Sequence, residues 1–568
     1  MNAKTIILFL SAVGFLTTML GSHSAWAQVS IPSTAEPSRL EENLLRPPVK
    51  IPSIKPKQDE SQDKQPEIVD AEKIRILLNG IQFEGLKKFL PDELGLFYKD
   101  KIGKDISLAD LQKIADRVQK FYADQGYSLT RVIIPEQDIK KGIITFKVIE
   151  GYVDAVRIDG DISEEEIVRA AAAEIKSMRP INVKKLERIL LILNDRPGLN
   201  IAAILDKDGQ EAEGALLLIL KEEKEKKLTG TVSLSNEFSQ FTGPVQVSVD
   251  ATLAEPSWNY SSTNINATSD IQFEEVKNLS VTHSIPLFGV SGTILNLYGS
   301  LGRTAPGENL KQFDVRGDTS SFGAKISYPM IRQREKIWLL DGAFDFNQSK
   351  TDIIGDELIN DRIRSFRVGS FYRFYDQFMA QNDFGVKVSQ GINLFGASNS
   401  NSDKLSRDDG IADYTKIEGN YTRIQPINNK WSLVASAEGQ YTNQPLLAGE
   451  EFGFGGSRNG KAYDPSELSG DRGISLGLEA QYTKNLEAYQ TIIQPYAFYE
   501  LGKVWNLDGG NKVGESAANI GIGTRAQIKE DWQLDVKAAQ PLTRDVDNPA
   551  PYTSADGPRV TFTLRRAF

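Results

Sequence analysis

The pattern of hydrophobic and polar residues changes at about residue 227. Before this point, apolar residues recur at helical intervals between short strand-like runs. After it, helical periodicity stops, and short segments such as Thr231–Ser235 and Ile474–Glu479 alternate polar with apolar residues between Gly, Asn, Asp and Pro turns. The pattern predicts an α+β region followed by an all-β domain over residues 227–568.

The pattern of the α+β region predicts two modules with the same element order: strand, helix, helix, strand, strand. In the first, residues 73–151, Ser107 and Asp110 form a capping pair before an amphipathic helix over Leu108–Tyr122. Its strands are predicted over Lys73–Phe83, Tyr127–Ile134 and Ile143–Ile149.

The second module, residues 152–226, repeats this order. Pro197-Gly198 ends its second helix, because Pro cannot continue a helix and Gly takes the positive-φ turn. Its elements are predicted over Tyr152–Ile158, Ser163–Ala173, a helix carrying Leu186 to Leu193, Asn200–Leu205 and Ala215–Leu220.

The all-β domain is long enough for a closed transmembrane barrel. Its roughly 340 residues, at about 21 per strand and turn, give about sixteen antiparallel strands, an even number as in bacterial outer-membrane barrels. Alternation on two faces suits a wall between lipid and a polar lumen, whereas a soluble β-sandwich or propeller is the alternative fold. The predicted strands centre near residues 232, 248, 267, 278, 296, 324, 341, 370, 387, 418, 436, 478, 497, 522, 536 and 563.

The N-terminal segment, residues 1–27, reads as a secretory signal peptide. It has an early charge at Lys4, an apolar run over Ile6–Leu20 and the small-x-small ending of Ala25–Ala27. A membrane anchor is the alternative, but a spanning helix needs about 20 apolar residues and this run is shorter.

Residues 28–72 form a polar, Pro-rich leader and linker that has too few apolar residues to fold alone. Within it, Pro37–Arg46 places Leu40, Leu44 and Leu45 on one helical face. This short segment is either a docked helix that plugs a pore or a fraying turn.

Composition removes several function classes. The 568 residues contain no cysteine and two histidines, and the formal charge is −10. Disulfides and thiolate metal sites are therefore impossible, and the mature chain has one imidazole, His283, in a predicted barrel strand. An acidic chain also lacks the basic footprint of a nucleic-acid binder. We expect no metal, no cofactor and no enzyme activity.

Four stretches resemble the outer-membrane transporters of two-partner secretion systems, the haemolysin secretion/activation family. Phe121–Tyr127 and the V-x-E-G sequence of Val148–Gly151 are similar to the family's POTRA modules. Leu193–Gly198 resembles its L-N-D-x-P-G turn. Gly455-Gly456 through Gly473 resembles the long extracellular loop that folds back into the lumen, here within residues 442–472.

The resemblance implies where the gate lies. A gating loop residue, Lys461, would pair with Glu500 on the lumen face of a barrel strand. The family usually has Arg and Asp at these two places, and Lys lacks the bidentate fork of Arg. The implied gating residues are Gly455, Gly456, Gly460, Lys461, Ala462, Tyr463, Gly470 and Asp471, and the implied barrel-wall partners are Phe498, Glu500 and Gly502.

The chain ends on a strand-like run with Val560, Phe562, Leu564 and Phe568 on one face. This ending resembles the signal by which barrel-assembly machinery inserts barrels into outer-membrane lipid. The resemblance implies a bacterial outer-membrane transporter with two periplasmic POTRA domains, whose partner is a secreted, haemolysin- or adhesin-like exoprotein with an N-terminal secretion domain. A barrel assembly factor and a passive pore are the alternatives.

Overall fold

The computed structural model describes residues 31–39, 72, 74–139, 141–207, 212–223, 226–255, 260–399, 402–507, 513–529, 531–549 and 554–568. The predicted signal peptide and most of the predicted leader, including Leu40, Leu44 and Leu45, lie outside these ranges. None of the helices in the described ranges is long and apolar enough to cross a membrane.

The first module is a small sheet backed by one long helix. Its sheet has the order β2-β5-β4, and β1 pairs separately with β3. The elements are β1 (Arg75–Leu77), β2 (Gly80–Glu84), α1 (Pro91–Leu94), β3 (Asp105–Ser107), α2 (Leu108–Asp124), β4 (Arg131–Ile133) and β5 (Ile143–Ile149).

Two strands of this module are shorter than the sequence predicts. The predicted strand Lys73–Phe83 is interrupted at Leu78 and Asn79, because β1 pairs with β3 and β2 pairs with β5. The predicted strand Tyr127–Ile134 is reduced to β4, because the Tyr127 amide donates to the Tyr122 carbonyl and the Thr130 amide to the Tyr127 carbonyl. Residues 127–130 are therefore a turn after α2.

The predicted cap of α2 is confirmed. The Asp110 amide donates to the Ser107 hydroxyl at 3.1 Å, and the Asp110 carboxylate accepts from the Ser107 amide at 3.2 Å. The buried face of α2 carries Leu111, Ile114, Ala115, Val118 and Tyr122. Burial of each large apolar side chain contributes roughly 1.5–3 kcal/mol.

Glu150 lies at the end of the first module, next to the joint with the second. Its buried carboxylate accepts hydrogen bonds from the amides of Lys87 and Lys88 at 3.2 and 3.0 Å and from the Tyr122 hydroxyl at 2.8 Å. Burial, together with this carboxylate, raises the pKa of Tyr122. Next to it, the Ile181 amide donates to the Gly151 carbonyl. The V-x-E-G sequence is thus a structural joint.

The second module has the sheet order β6-β8-β7, with two helices packed on one core. Asn182 caps its second helix by accepting from the Lys185 amide. Gly198 adopts φ +77°, so the predicted turn after this helix is confirmed. The elements are β6 (Tyr152–Asp159), α3 (Glu166–Ser177), α4 (Val183–Asn194), β7 (Ile201–Asp206) and β8 (Ala215–Glu222).

Within the described residues, sixteen antiparallel strands close into one barrel, as the sequence predicts. Every predicted strand centre falls inside one of these strands. The strands are β9 (Leu228–Ser235), β10 (Gln246–Glu255), β11 (Ser261–Asp270), β12 (Val276–Leu287), β13 (Thr293–Thr304), β14 (Arg316–Arg332), β15 (Lys336–Ile353), β16 (Asp356–Tyr375), β17 (Gln381–Gly391), β18 (Thr415–Pro426), β19 (Trp431–Thr442), β22 (Arg472–Tyr482), β24 (Thr491–Asn506), β25 (Val513–Ile528), β26 (Trp532–Pro541) and β27 (Arg559–Ala567).

Three shorter strands accompany the barrel. β20 (Phe452–Phe454) and β21 (Leu468–Gly470) pair with each other between β19 and β22, and β23 (Lys484–Leu486) pairs with β24 just after β22. We call the barrel end next to the modules the module end and the opposite end the far mouth. Since β9 leaves the second module and strands alternate in direction, the connection between β19 and β22 lies at the far mouth.

The second module is fixed to turns at the module end of the barrel. The Asp195 carboxylate accepts two hydrogen bonds from the Arg332 guanidinium, at 2.7 and 2.5 Å. Arg196 donates to the Gly289 carbonyl at 2.8 Å, and Arg188 to the Pro329 carbonyl at 2.8 Å. The L-N-D-x-P-G sequence, together with Arg188, therefore anchors the second module on the turn after β12 and on the end of β14.

Loss of the Asp195–Arg332 pair should loosen this anchor without unfolding either part. The pair is partly exposed, so each of Asp195→Asn and Arg332→Gln should cost about 1 kcal/mol or less. Spin labels at Ser177→Cys and Lys484→Cys should report a broader distance distribution in the double variant. Arg303→Gln, which breaks an exposed pair with Asp318 within the barrel wall, is the matched control and should leave the distribution unchanged. An unchanged width in the double variant would show that the anchor does not restrain the module.

Candidate functional site

The candidate site is the barrel lumen, which the connection over residues 443–471 enters from the far mouth. We call this connection the infolded loop. Gly455, Gly456 and Gly460 adopt φ +127°, +92° and +79°, conformations that other residues rarely take. These turns bring Phe454 and Tyr463 into full burial against the barrel wall. The predicted infolding of this loop is therefore present, with a β20–β21 hairpin that the sequence does not predict.

The predicted contact between Lys461 and Glu500 is also present. Lys461 Nζ forms an ion pair with the Glu500 carboxylate, whose side chain is only 3% exposed. Glu500 Oε2 also accepts from the backbone amides of Gly460 and Lys461, at 2.9 and 3.0 Å. Lys461 Nζ lies 4.6 Å from the centre of the Phe498 ring, within range of a cation–π interaction. Two backbone donors thus supply contacts that Lys, unlike Arg, cannot supply from its side chain.

The barrel wall opposite the loop has no room for a larger side chain at Gly502. A Cβ placed there would lie 2.2 Å from Phe454 Cδ2. Strand β24 turns Phe498, Glu500 and Gly502 into the lumen, while Tyr499 between them is 42% exposed on the outer face. The missing side chain at Gly502 therefore leaves the space in the wall that Phe454 of the loop occupies.

Charged groups absent from the sequence prediction hold the base of the loop. Arg407, from the connection between β17 and β18, contacts Asp471 at 2.6 Å and Glu451 at 2.7 Å. Glu450 lies between Arg367 and Lys416. Burial alone would raise the pKa of Glu450, but these two cations hold the pKa of this carboxyl well below its usual range. The predicted site residue Asp471 thus belongs to this network and not to the Lys461 contact.

The tip of the loop beyond Lys461 contacts strand β25 and the far-mouth connection before β27. The Tyr463 hydroxyl lies 3.0 Å from the Ala518 carbonyl and 3.2 Å from the Arg544 carbonyl. Burial raises the pKa of Glu467 to about 7, and this carboxyl accepts from the Asp547 amide at 2.7 Å. Ala462 is fully buried beside Tyr463, and Gly470 lies in β21.

Residues 31–39 of the predicted leader lie inside the far mouth. Ala35 packs with Phe241, Leu310, Val315 and Ile353 from the surrounding connections and strand end. Arg39, only 2% exposed, forms an ion pair with Glu451 of the infolded loop. Of the predicted plug helix Pro37–Arg46, the described part is a 3₁₀ turn over Pro37–Arg39.

A polar cavity remains in the lumen beside this segment. Its volume is about 680 Å³, and Pro37 and Ser38 line it together with charged wall residues. The closing strand turns Phe562 and Leu564 away from this lumen, while Thr561 and Thr563, which alternate with them, are buried. Phe568, the last residue, exchanges backbone hydrogen bonds with Gly230 at the start of β9.

Comparison with known proteins identifies the family. A family model described as haemolysin secretion/activation protein ShlB/FhaC/HecB matches residues 214–526, more than half of the chain. The chain belongs to this family. A second model, described as POTRA domain, ShlB-type, matches residues 76–151, so the first module is a POTRA domain.

Individual relatives of this family member have low sequence identity to it but align over most of its length. The heme/hemopexin transporter protein HuxB of Haemophilus influenzae (strain 86-028NP) is 22% identical over 481 residues, covering 81% of this chain and 82% of HuxB. The outer membrane transporter CdiB-2 of Burkholderia pseudomallei (strain 1026b) is 20% identical over 420 residues, covering 71% of this chain and 69% of CdiB-2.

Solved structures show the same fold. CdiB from Escherichia coli has a TM-score of 0.73 at 17% identity, covering 91% of this chain and 93% of that protein. CdiB from Acinetobacter baumannii has a TM-score of 0.62 at 18% identity, with coverages of 90% and 93%.

Family membership and the closed barrel together establish the activity. This family member is an outer-membrane transporter that translocates a secreted partner protein. The module end of its barrel is periplasmic, and the far mouth opens at the cell surface. The alternative role as a barrel assembly factor is not favoured.

Proposed function

We propose that the infolded loop is the gate of this transporter and that the Lys461–Glu500 pair is its latch. One observation supports this above the others: a buried ion pair and two backbone hydrogen bonds hold the loop against the lumen wall on the route that a passenger takes. Breaking a buried pair by removing one partner costs about 3–5 kcal/mol. A latch of this strength keeps the loop seated until a passenger displaces it.

Each part of the chain has its own role in this proposal. Residues 1–27 are a signal peptide, and residues 28–72 carry the segment that closes the far mouth together with its linker. Residues 73–151 and 152–226 bind the passenger in the periplasm, and residues 227–568 form the channel. The barrel-assembly machinery recognises the closing strand, with Phe562, Leu564 and Phe568, during insertion into lipid.

The passenger is proposed to be an exoprotein with an N-terminal secretion domain, related to haemolysins or adhesins. HuxB is named as a heme/hemopexin transporter protein and CdiB-2 only as an outer membrane transporter, so the proposed cargo class rests on the description of the family and not on one relative. No catalytic step is proposed. His283 lies in the wall strand β12 with the Thr263 hydroxyl 3.0 Å from its Nδ1, which suits a wall residue.

An edge of the second module is proposed to bind the passenger as an added strand. β7 is an edge strand, because the sheet order is β6-β8-β7. Its residues Ile204 and Leu205 are 50% and 36% exposed. The Asn200 carbonyl accepts from Glu223, so strand alternation turns the amides of Ala203 and Leu205 away from β8. An extended, unfolded passenger has the unpaired backbone groups that such an edge accepts.

Ala203→Pro should weaken binding of passenger fragments to the detergent-solubilised full chain roughly tenfold, because it removes an edge donor and blocks strand addition. Ala203→Val keeps the amide and should bind as the native chain does. Binding is measured by titration of a fluorescent N-terminal passenger fragment, with an unrelated unfolded chain as the specificity control. Equal affinity for the Pro and Val variants would place the passenger elsewhere.

A further inference from the structure

The barrel closes through its shortest strand pair, which we call the seam. Both seam strands lie wholly within the described residues, and β27 pairs with β9 over five residue pairs, from Thr563–Ser235 to Ala567–Thr231. Backbone hydrogen bonds of Asn236 with Phe562 and of Gly230 with Phe568 extend this pairing by one residue pair at each end. The adjacent junctions, β9–β10 and β26–β27, each pair eight. Since each residue pair adds backbone hydrogen bonds, the seam has less main-chain stabilisation than the junctions beside it.

Side chains add to the backbone ladder at the extracellular end of the seam. The Asn236 side-chain oxygen accepts from the Phe562 backbone amide at 2.6 Å, and the Asn236 backbone amide donates to the Phe562 carbonyl at 3.2 Å. Beyond it, Arg559 at the start of β27 donates from one terminal nitrogen to the carbonyls of Glu237 and Phe238, both at 3.1 Å. Arg559 therefore bridges from β27 to the chain that follows β9.

The same guanidinium holds the tip of the infolded loop. Its other terminal nitrogen donates to the Tyr463 carbonyl, and the first lies 2.9 Å from the Asp464 carboxylate. The side chains of Arg559 and Asp464 are 14% and 9% exposed, so water screens these contacts little. A planar fork with five donors can serve a strand and a loop at once, which a lysine ammonium does less well.

We infer that Arg559 makes closure of the seam depend on seating of the infolded loop. With the loop seated, Tyr463 and Asp464 hold the guanidinium where it also binds the chain after β9. When the loop tip withdraws, Arg559 loses these acceptors, and the seam loses its extracellular anchor. Because coupling between two sites is reciprocal, an opened seam also weakens the seat of the loop. Arg559 is a positioning residue in this scheme and does not contact the passenger.

This inference deepens the proposed gate, but its test measures the seam and not secretion, so the two succeed or fail separately. The chain contains no cysteine, so one introduced thiol reports on one place. Ser235, 8% exposed, has its hydroxyl 3.0 Å from that of Thr563 across the seam. Ser300, 6% exposed, has its hydroxyl 3.3 Å from that of Ser321 across the β13–β14 junction and is the matched control.

The experiment follows N-ethylmaleimide labelling of Ser235→Cys and Ser300→Cys in the full chain in lipid nanodiscs. Arg559→Gln should raise the labelling rate at position 235 roughly tenfold, because charged hydrogen bonds that favour the closed seam are lost. The rate at position 300 should stay unchanged. Arg559→Lys should give an intermediate rate. Arg373→Gln, which breaks an inter-strand pair with Asp383 away from the loop, should change neither rate.

Unseating the loop by another route must have the same effect. Lys461→Glu should raise labelling at position 235, and adding Arg559→Gln to it should raise the rate little further, because both act through one contact. An unchanged rate at position 235 in Arg559→Gln, or equal increases at positions 235 and 300, would overturn the inference. If Arg559→Gln does not assemble, the Arg559→Lys and Lys461→Glu chains decide the question by the same comparison.

Discussion

Reversing the charge at either end of the Lys461–Glu500 pair should remove most secretion while the barrel still assembles, and the double reversal should restore part of it. Each of Lys461→Glu and Glu500→Lys places like charges together in a site where both side chains are largely buried. Loss of a buried partner costs about 3–5 kcal/mol. The seated state of the loop should then become roughly a hundredfold or more less populated.

The double reversal should recover less than the native level for a structural reason. Glu500 accepts two backbone amide bonds besides the ion pair, and a lysine at position 500 accepts none. The Phe498 ring also favours the cation at position 461 over a carboxylate. We therefore expect the order native, double reversal, single reversals in amount of passenger released to the medium.

Matched variants separate the latch from general damage to the lumen. Reversal of the inter-strand pair Arg373–Asp383, which links β16 and β17, should leave secretion near the native level. Lys461→Arg should keep secretion, since the guanidinium fork can bind Glu500 bidentately. If the double reversal secretes no more than the worse single reversal, with all variants assembled, Lys461–Glu500 is not the latch.

Deletion of Gln28–Arg46 should raise the single-channel conductance severalfold and leave secretion possible. The deletion removes residues 31–39 from the far mouth. In the full chain, Pro37 and Ser38 of this segment line the lumen cavity, and Ala35 fills the mouth. Conductance in planar bilayers measures the effect directly. Conductance equal to that of the full chain would remove the role of this segment as a plug.

Point variants test the role of this segment as a plug in smaller steps than the deletion. Arg39→Gln breaks a buried ion pair, which costs about 3–5 kcal/mol, although Arg407 still neutralises Glu451 and places the cost at the lower end. It should therefore increase the frequency of open events without the full conductance of the deletion. Ser33→Ala removes a single 3.3 Å hydrogen bond to the Glu467 carbonyl and should change little.

The sequence predicts the barrel well because its signal is local. Alternation with period 2 is visible within each strand, so the strand centres and the shared face of Phe498, Glu500 and Gly502 follow without knowledge of the pairing. The inward direction of that face is implied by the family resemblance. The same local rule fails at Tyr127–Thr130, where backbone bonds to the preceding helix make a turn out of a run of strand-like residues.

The contacts around the loop are not local, and the sequence does not reveal them. Arg407 and Asp471 are 64 positions apart, and Arg39 and Glu451 are 412 apart, so no spacing links them. Lys461–Glu500 is predicted only because family resemblance supplies the partner. Burial of these charges by the loop depends on the closed barrel, which no single segment encodes.

The anchor of the second module also determines how force reaches the barrel. Arg196 donates to a carbonyl in the turn after β12, Arg188 donates to a carbonyl near the end of β14, and Gly198 lies beside Ala254 at the end of β10. The Ile181 amide donates to the Gly151 carbonyl at the joint between the modules, so the first module is connected through the second to these barrel contacts. We therefore expect a pull on the first module to load one side of the barrel's periplasmic rim, at the turn after β12 and the end of β14.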